Sequence, residues 1–554
     1  MEGKKSWRTA PPPIPEEKIK HRYAADVVIV GAGHAGTCAA RAASEVPGTS
    51  VIVLEQQDAD DMRFFGGGEI GVVNSKWQAA RGMEPIDPLE FANDWQLRSN
   101  NRSNYRLIKT FAEKSGAAFD WLIEPLSEEE KNSIYMKHQA GNENWPGSLN
   151  GIKTWRGAVT FGPLWLSTVM KMNIQIAVDH GTRFMYGMTA CQLTKDGGRV
   201  TGVIAENDDG EYCFVEARKG VILAAGDFTG NAEMCHDLLT EIVDFYDEGV
   251  EVLGDGQDGS GLRMGYWAGG KVEPRSVPAM GGYFAYPGPG IIGTTGTLFL
   301  NKHGVRYCNE HFGMQHITHF AGCCQPNGKL WAIFDASIDE DISYQCPEHS
   351  GFDCNKPSIE LGQDADPNFV PNITYIQRLH MNMDGAMKAG AEGYDVTKIH
   401  MATKNGRLYG AETLETLVQY MYPGDGEAQK NALAAVERYN ELCRQGRDED
   451  FGKDPALLHA LDQGPYFAYG FVKDSGRPQG IDSYFLRAAV GGLLTDEHQN
   501  VLGDGWEPIP GLYATGNNCG GRFGKQYHTP ISGVSLGMCH TLGREAGTTV
   551  ANLP

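Results

Sequence analysis

Three glycines at fixed spacing, followed by one acidic residue, form the clearest chemical pattern in the sequence. Gly31, Gly33 and Gly36 stand as G-x-G-x-x-G, and Glu55 lies 19 residues after the last of them. Glycine at these positions allows a tight turn, a close approach of backbone N–H groups to a pyrophosphate, and close packing of a helix on a strand. A glutamate at this distance suits the hydroxyl groups of an adenosine ribose. The spacing predicts a dinucleotide-binding site.

The segments around these glycines are the elements that must position them. Residues 25–30 form an apolar run typical of a strand that is buried on both faces. Residues 37–45 are rich in alanine and predict a helix, and residues 50–54 predict a second strand that ends at Glu55. The order of strand, turn and helix directs the N-terminus of the helix, with its partial positive charge, at a phosphate group.

A second glycine cluster indicates a longer ligand. Gly66, Gly67 and Gly68 follow two phenylalanines, and they let the backbone come close to another part of a long ligand, which the nicotinamide half of a dinucleotide would not require. Residues 199–204 and 220–227 predict further strands, and residues 509–518 repeat the strand and glycine turn near the C-terminus. Helical periodicity over residues 410–445 is interrupted by a turn at residues 422–424.

Composition excludes several classes of partner. The chain has 554 residues, 71 of them glycine, and a net charge of −22, which disfavours nucleic acid and anionic membrane surfaces. Its 12 cysteines contain no C-x-x-C pair, so we expect no haem, no iron–sulfur cluster and no disulfide framework. We interpret Cys346 and Cys354 around His349 as an ordinary loop and expect no metal. Without an apolar signal or an 18-residue apolar stretch, we expect a cytoplasmic protein that does not insert into membranes.

An ordered series of motifs runs through nearly the whole chain, from Asp26 to Asn552. The series comprises VIVGAGHAG with Glu55, GVILAAGDF, GDGQDGSGLRMGYWAGG, GTLFLNKHGVRYCNE, and GGLLTDEHQNVL followed by GLYATGNNCGG. It resembles the flavoproteins of the fumarate reductase and succinate dehydrogenase class, including soluble fumarate reductase, urocanate reductase and 3-ketosteroid dehydrogenase.

This resemblance implies an α/β fold with a Rossmann-like FAD-binding domain of the GR2 flavoprotein type and an inserted α+β capping domain. We expect an N-terminal extension at residues 1–24, the FAD-binding domain at residues 25–270 and 483–554, and the capping domain at residues 271–482. FAD is expected to bind noncovalently, because the chain lacks the His-containing segment that anchors flavin in the membrane-complex subunits.

The resemblance also assigns the residues that would bind FAD. They come from the first glycine turn, the end of the second strand, the second glycine cluster, the strand after it, the GLYATG segment and the start of the last helix. They are Gly31, Gly33, His34, Ala35, Gly36, Glu55, Gly66, Gly67, Gly68, Ala190, Ala225, Gly226, Asp227, Gly516, Asn517, Gly533, Val534 and Ser535.

The catalytic positions of fumarate reductases are where the chain departs from the family. Those enzymes carry an Arg proton donor four residues past the Asn-Glu of an R-x-x-N-E segment, and this chain has Met314 there. Ala488 occupies the position of a His before the Gly-Gly pair, and Tyr527 occupies that of a carboxylate-binding Arg. Methionine and alanine cannot transfer a proton, so fumarate and succinate are not expected as substrates.

What remains is the chemistry of a flavin with an activated alkene, in either direction. We expect an FAD-dependent oxidoreductase acting on CH–CH groups, with an enone or enoate substrate that is hydrophobic and resembles a steroid, a bile acid or an aromatic compound. A protein acid must protonate the α-carbon. The candidates for the catalytic site are Tyr527, His528, Tyr307, Tyr283 and Arg522.

Electrons must come from outside the chain, because the sequence has one dinucleotide pattern only. The donor classes left open are a reduced flavin, a ferredoxin, NAD(P)H and a redox partner protein. An alternative reading is a flavoprotein electron-transfer subunit of a multi-subunit complex of the fumarate reductase type. The missing covalent-flavin segment favours the soluble reductase.

Overall fold

The computed structural model describes most of the chain. The described residues are 6–62, 64, 69–136, 155, 157–161, 164–241, 251–252, 257–282, 296–310, 325, 330–343, 375–391, 407–470 and 485–554. Several residues singled out from the sequence lie outside them, namely Gly66, Gly67, Gly68, Tyr283, Met314, Cys346, His349 and Cys354.

Strands and helices alternate through the first half of the chain. The strands are β1 Ile19–Val30, β2 Val51–Leu54, β3 Glu69–Gly71, β4 Tyr135–Met136, β5 Ala158–Thr160, β6 Arg183–Met185, β7 Met188–Asp196, β8 Arg199–Asn207, β9 Tyr212–Leu223, β10 Glu251–Val252, β11 Ala279–Gly282, β12 Leu298–Asn301, β13 Leu330–Asp335, β14 Arg407–Ala411, β15 Tyr466–Gly470, β16 Phe485–Ala489, β17 Asn500–Leu502 and β18 Pro508–Ala514. The helices are α1 His34–Ser44, α2 Lys76–Ala79, α3 Pro88–Arg98, α4 Tyr105–Leu122, α5 Glu128–Ser133, α6 Leu166–Asp179, α7 Ala232–Leu238, α8 Ser260–Trp267, α9 Ile338–Ser343, α10 Tyr375–Ala391, α11 Leu414–Met421, α12 Gly426–Gln445 and α13 Val534–Ala551.

A sheet with a parallel centre contains the strands on both sides of the first glycine turn. Its strand order is β17-β18-β9-β1-β2-β6. Outside this order, β8 pairs with β9, and β7 pairs with β8. β1 is parallel to both β2 and β9, and β18 is parallel to β9. The segment Val27–Val30 of β1 is buried, as expected of a strand with neighbours on both sides and helices over both faces. The sequence prediction of an α/β fold built on a parallel sheet is confirmed.

The N-terminal segment packs on this sheet. Strand β1 begins at Ile19, so the expected boundary between residues 24 and 25 falls inside one continuous strand. Trp7 is buried, its backbone N–H donates to the carboxylate of Glu233, and its indole Nε1–H donates to Asp237 at 2.9 Å. These contacts fasten residues before the expected boundary to α7.

A second layered unit lies within residues 271–482. Its antiparallel sheet has the order β12-β13-β15-β14. Successive residues of a strand face opposite sides, and Phe299 accordingly packs with α10 whereas Leu298 packs with α11 and α12. Helices α11 and α12 are capped by Thr413 and Asp425. The two helices and the turn between them confirm the periodicity that the sequence shows at residues 410–445.

A buried ion cluster holds this second unit together. Arg306 donates to both carboxylate oxygens of Glu310, at 2.9 and 2.8 Å, and to both of Asp448, at 3.1 and 2.7 Å. The ammonium group of Lys453 lies 3.7 Å from Glu310, and neither side chain is exposed. Two cations face two carboxylates, so each charge removed from water has a partner. The cluster joins the loop after β12 to the segment after α12.

Neutralising one member of this cluster should destabilise the protein strongly. The substitution Glu310→Gln leaves Arg306 and Lys453 facing one carboxylate. We expect the free energy of unfolding to fall by about 3 kcal/mol, because an uncompensated charge stays buried. Urea unfolding followed by circular dichroism measures it. The control is Asp450→Asn, which removes an exposed partner of Arg438 and should leave the urea midpoint unchanged. Equal midpoints for the two variants would contradict the assigned role.

Candidate functional site

The first glycine turn joins β1 to α1 at the C-terminal edge of the sheet. Gly31 has φ +96°, and a Cβ there would stand 2.5 Å from the carbonyl oxygen of Ala224. A Cβ on Gly36 would stand 1.9 Å from the carbonyl oxygen of Gly31. No side chain fits at either position, because backbone atoms cannot move away without opening the sheet. The two glycines therefore bring β1, β9 and α1 into backbone contact.

Gly33 differs from its neighbours in having open space around it. A Cβ on Gly33 would meet nothing within 4 Å. Gly33 is the N-cap of α1, and no side chain caps the helix there. Packing inside the protein therefore does not explain glycine at this position, whereas an anion held against the N-terminus of α1 does. The space fits the pyrophosphate of FAD.

Glu55 closes this turn from the side of β2. Its Oε2 accepts the N–H of Ala32 at 2.7 Å and its Oε1 accepts the N–H of Gln57 at 3.0 Å. Its carbonyl oxygen accepts the N–H of Met188 at 2.8 Å, which brings the start of β7, and Ala190 two residues further on, to the same edge. The structure therefore places Glu55 directly against the glycine turn.

The turn after β9 forms a second wall of the site. Asn518 accepts the N–H of Ala225 at 2.7 Å and donates to the carbonyl oxygen of Gly226 at 2.8 Å. Gly226 has φ +82°, and a Cβ there would collide with Gln257. Asp227 is buried, and burial raises the pKa of its carboxyl to about 7 although the N–H and hydroxyl of Thr229 both bond it. The carboxylate of Asp227 thus binds its own turn.

The C-terminal segment packs against helix α1 and completes the site. Gly516 has φ +60°, and a Cβ there would lie 2.9 Å from the Cβ of Ala35. Helix α13 packs directly on α1, since a Cβ on Gly543 would lie 2.5 Å from the carbonyl oxygen of Ala35. Thr515 is buried, and its hydroxyl has no hydrogen-bond partner among the described residues. The ends of β1, β9 and β18 therefore meet the N-terminus of α1 at one place.

Two histidines pack together behind the first turn. The Nδ1 of His34 lies 3.1 Å from the Nε2 of His540, which projects from α13. Burial, and then the neighbouring His34, lower the pKa of His540 well below its usual value. The pair fixes the angle between α1 and α13 with one shared hydrogen. His34 is thus placed at the predicted turn with its side chain directed at α13.

The N-terminus of α13 lies beside Tyr527. Gly533 is its left-handed N-cap, with φ 71° and no side-chain cap. The N–H of Ser535, in the first turn, donates to the phenolic oxygen of Tyr527 at 3.3 Å. Tyr527 is 1% exposed, and burial raises the pKa of its phenol above the usual value. The phenol stays protonated at neutral pH.

Tyr527 and Ala488 belong to one apolar cluster. The cluster also contains Trp95, Trp155 and Phe523, and the ring of Phe523 packs edge-on against that of Tyr527 at 4.8 Å. The two positions at which fumarate reductases are expected to carry Arg and His are therefore neighbours, and both hold side chains packed among aromatic rings. All five side chains are buried, so these two positions hold core residues rather than charged groups.

Arg522 is buried completely and its hydrogen bonds point inward. It donates to the carbonyl oxygens of Cys519 and Val490, at 2.8 and 2.9 Å, and to the side-chain oxygen of Asn517 at 3.0 Å. Its Nη1 is buried without a hydrogen-bond partner among the described residues. Arg522 holds the loop 517–523 in shape, and the two N–H groups of Nη1 are its remaining capacity for a ligand.

His528 is joined to helix α3, a contact that the sequence did not suggest. Arg98 approaches the Nε2 of His528 with its Nη1 at 3.2 Å, and its Nε donates to Asp94 at 2.7 Å. The indole N–H of Trp155 donates to the same oxygen of Asp94 at 2.7 Å. An i,i+4 pair of Asp and Arg in an amphipathic helix usually lies on the surface. The pair of Asp94 and Arg98 differs from such a surface pair only because its face of α3 is buried.

Tyr307 lies elsewhere. It packs against the core of the central sheet and against the core beside α10, whereas Tyr527 belongs to the aromatic cluster beside α3. The structure brings Tyr527, His528 and Arg522 onto one loop and places Tyr307 between the two units of the protein. Tyr283 lies outside the described residues.

Glu273 is a buried carboxylate that sequence reasoning also missed. Its Oε1 accepts the N–H of Gly492 at 2.8 Å and its Oε2 accepts the N–H of Gly521 at 3.1 Å. Burial raises the pKa of Glu273 to about 7, against the effect of these two bonds and of Arg522. The carboxylate ties together two loops that border the candidate site. A single glutamate between a valine and a proline carries no spacing signal that could have revealed it.

Two further properties concern the described part of the chain only. None of its helices is both long and apolar enough to cross a membrane. Within the described ranges, no three or more His, Cys, Asp or Glu side chains are grouped so that they could hold a metal ion.

Comparison with known proteins gives matches over nearly the whole chain. Residues 26–530 match a family model described as an FAD binding domain. The chain is 25% identical to the vinyl phenol reductase of Lactiplantibacillus plantarum, over 95% of this chain and 96% of that protein. It is 23% identical to the urocanate reductase of Eggerthella lenta, over 99% of this chain and 78% of that protein. A 3-ketosteroid-delta4-(5alpha)-dehydrogenase from Rhodococcus jostii, in complex with 4-androstene-3,17-dione, has a similar structure, with a TM-score of 0.66 and 22% identity over 98% of this chain and 100% of that chain.

Glu273 predicts a pH dependence of stability. Its folded-state pKa of about 7 lies above the ordinary 4.5, so the folded protein binds more protons than the unfolded chain between these values. The contribution of Glu273 to stability should therefore fall by about 3 kcal/mol as the pH rises from 4.5 to 7, in addition to the fall that Asp227 causes in the same range. Glu273→Gln should flatten this part of the profile, measured as urea midpoints at a series of pH values. The control is Glu507→Gln, at an exposed position, and a slope of the same size in Glu273→Gln and wild type would contradict the assignment.

Proposed function

This chain belongs to the FAD binding domain family, and on that premise we propose that it reduces the C=C bond of a hydrophobic activated alkene, or catalyses the reverse dehydrogenation. The family match and the named reductases and dehydrogenases among its relatives confirm the predictions of an FAD-dependent oxidoreductase acting on C=C bonds and of an FAD-binding flavoprotein fold. The substrate class, the acid and the attachment of FAD are the parts that we propose.

We assign the two halves of FAD to the two helix N-termini. The open space at Gly33 and the uncapped start of α1 suit the pyrophosphate, and Glu55 suits the adenosine ribose. The uncapped start of α13, at Gly533, suits the electron-rich ring edge of the flavin. Attachment is noncovalent in this proposal, since the segment at residues 64–71 contains no histidine.

Bound FAD supplies hydride transfer between its N5 position and a carbon of the substrate. The protein must then supply a proton for the neighbouring carbon. Tyr527 is our candidate for this acid, because a phenol is protonated at neutral pH and the N–H of Ser535 would stabilise negative charge on the same oxygen when the proton leaves. Arg522 orients the loop, and its Nη1 adds two N–H donors for an oxygen of the ligand.

The nature of the substrate follows from one observation. Tyr527 and Ala488, at the positions where the resemblance places a carboxylate-binding Arg and a His in fumarate reductases, both belong to the buried cluster that contains Trp95, Trp155 and Phe523. An apolar and aromatic wall favours a ring-containing substrate, whereas a dicarboxylate would lose its hydration there without a matching cation. The names of two similar proteins, the vinyl phenol reductase and the ketosteroid dehydrogenase, refer to compounds that contain rings. Electrons come from an external donor of the kinds expected from the sequence.

A methyl group at Gly33 should abolish tight binding of FAD without harming the fold. Gly33→Ala places its Cβ in the space that we assign to the pyrophosphate, and we expect FAD affinity to fall about 10- to 100-fold, as for one lost hydrogen bond to a charged group. Fluorescence titration of apoprotein with FAD measures this. The matched control is Gly426→Ala, since Gly426 also has nothing within 4 Å but begins α12. Unchanged affinity in Gly33→Ala would refute the assignment.

Anaerobic reoxidation of the reduced flavin tests the reaction itself. The acceptors are fumarate, urocanate, a vinyl phenol, a cinnamate, an α,β-unsaturated ketosteroid and an unsaturated bile acid, followed by the return of flavin absorbance. We expect a ring-containing acceptor to react fastest and fumarate to be among the slowest. A preference for fumarate would overturn the proposed substrate class, and reaction with no acceptor would favour the electron-transfer alternative.

Removing the phenol of Tyr527 should slow the best acceptor strongly. Tyr527→Phe keeps the aromatic packing but removes the acid, so reoxidation should slow by about 100- to 10,000-fold. The control is Tyr212→Phe, because Tyr212 begins β9 at the end far from the site. If both variants react at the wild-type rate, the proton comes from another group.

A further inference from the structure

Helix α3 reaches the candidate catalytic loop through a buried chain of hydrogen bonds. Asp94 and Arg98 lie one turn apart, with side chains that are 5% and 0% exposed. The Oδ2 of Asp94 accepts Nε–H of Arg98 and the indole N–H of Trp155, each at 2.7 Å. These two bonds fix the plane of the guanidinium. Its Nη1 is thereby directed at the loop, 3.2 Å from Nε2 of His528 and 3.5 Å from the carbonyl oxygen of Thr529.

The contact between Arg98 and His528 defines the state of the imidazole. A guanidinium has five N–H donors and no acceptor. A hydrogen bond between the two groups therefore requires a lone pair on Nε2, which leaves the single hydrogen of a neutral imidazole on Nδ1. An imidazolium would set two donors against each other and two positive charges at 3.2 Å in a buried place. The geometry selects one tautomer and one charge.

The groups that act on this site come from three parts of the chain. Helix α3 contributes Asp94 and Arg98, and the loop itself contributes Tyr527. The phenol of Tyr527 is in turn influenced by Arg522 and Glu69. Asp94 balances the charge of Arg98, so the pair as a whole is neutral, yet the cation is the member that touches His528.

We propose that Arg98, braced by Asp94, is a positioning residue that holds His528 as a neutral imidazole with its hydrogen on Nδ1. The proposal rests on the proposed function in one respect, since it assigns proton donation in the reaction to Tyr527 and gives His528 the role of a hydrogen-bond donor. Asp94 accepts the Nε–H of Arg98, and the other donors of this buried guanidinium also need acceptors. The third contact, across 430 residues of sequence, connects α3 to the loop that carries Tyr527.

The direct test is the protonation state of His528 in the FAD-bound protein. With ¹⁵N-labelled histidine, the signals of His528 are identified by their loss in His528→Gln and followed from pH 5.5 to 9. We expect an unprotonated Nε2 and a protonated Nδ1 throughout. A titration of wild-type His528 near the ordinary value of about 6.5, or a hydrogen on Nε2, would overturn the proposal without any variant.

Substitution of Arg98 then separates positioning from stability. Arg98→Met should let His528 exchange tautomers and take up a proton at a higher pH than in wild type, and Arg98→Lys should restore part of the wild-type behaviour because it keeps a cationic N–H donor. The control is Arg106→Met, which removes an exposed cation from α4 and should leave the His528 signals unchanged. Signals of His528 that are the same in Arg98→Met and wild type would contradict the assignment.

Kinetics supply the link to the reaction. In Arg98→Met we expect kcat with the best acceptor to fall on the order of 100-fold, as for a small displacement of a reacting group, with little change in KM and a new ionisation in the pH–rate profile. A wild-type pH profile in this variant would refute the catalytic part. The NMR result does not depend on alkene reduction, so failure of the proposed function leaves it interpretable.

Discussion

The site depends on backbone contact between elements that side chains would hold apart. At Gly31 and Gly36, β1, β9 and α1 approach so closely that a methyl group would overlap a carbonyl oxygen, and Gly543 allows α13 the same approach to α1. The ends of the parallel strands and the start of α1 can converge only because of this. The large glycine content of the sequence is thus explained in part by close approach, and Gly33, where a Cβ would meet no atom of the protein, is the position that we propose for the pyrophosphate.

Converging loops present many backbone N–H groups, and buried carboxylates satisfy them. Glu55 binds the first turn, Asp227 the turn after β9, and Glu273 the two glycine pairs near the C-terminus. A Cβ on Gly491 would stand 2.1 Å from Glu273, so this glycine is needed for the carboxylate and not for the cofactor. Each carboxylate loses its hydration and gains N–H donors in return. The pKa values of Asp227 and Glu273 are raised because these donors do not fully compensate for the lost hydration.

The sequence predicted what local spacing determines and missed what distant packing determines. The glycine turn, Glu55 and the helices at residues 410–445 follow from patterns within a few dozen residues, and the structure has them. Asp94 and Arg98 show an ordinary i,i+4 spacing, and their burial depends on a loop 430 residues later. Arg522 is a candidate for the catalytic site from the sequence, but three of its five N–H groups bond oxygens of Cys519, Asn517 and Val490, because a buried guanidinium needs acceptors inside the protein.

In the function that we propose, the same constraint bears on the choice of substrate. Arg98 and Arg522, the cations beside the aromatic cluster in the described part of the chain, direct most of their donors at Asp94, Asn517, backbone carbonyl oxygens and His528. Their positive charge therefore shapes loops more than it attracts anions. With Ala488 and Tyr527 in place of charged groups, the wall gains apolar area and keeps one phenol as a proton source. Loss of carboxylate recognition and retention of flavin chemistry are then separate consequences of which side chains the loops present, while the backbone contacts that position the flavin site stay the same.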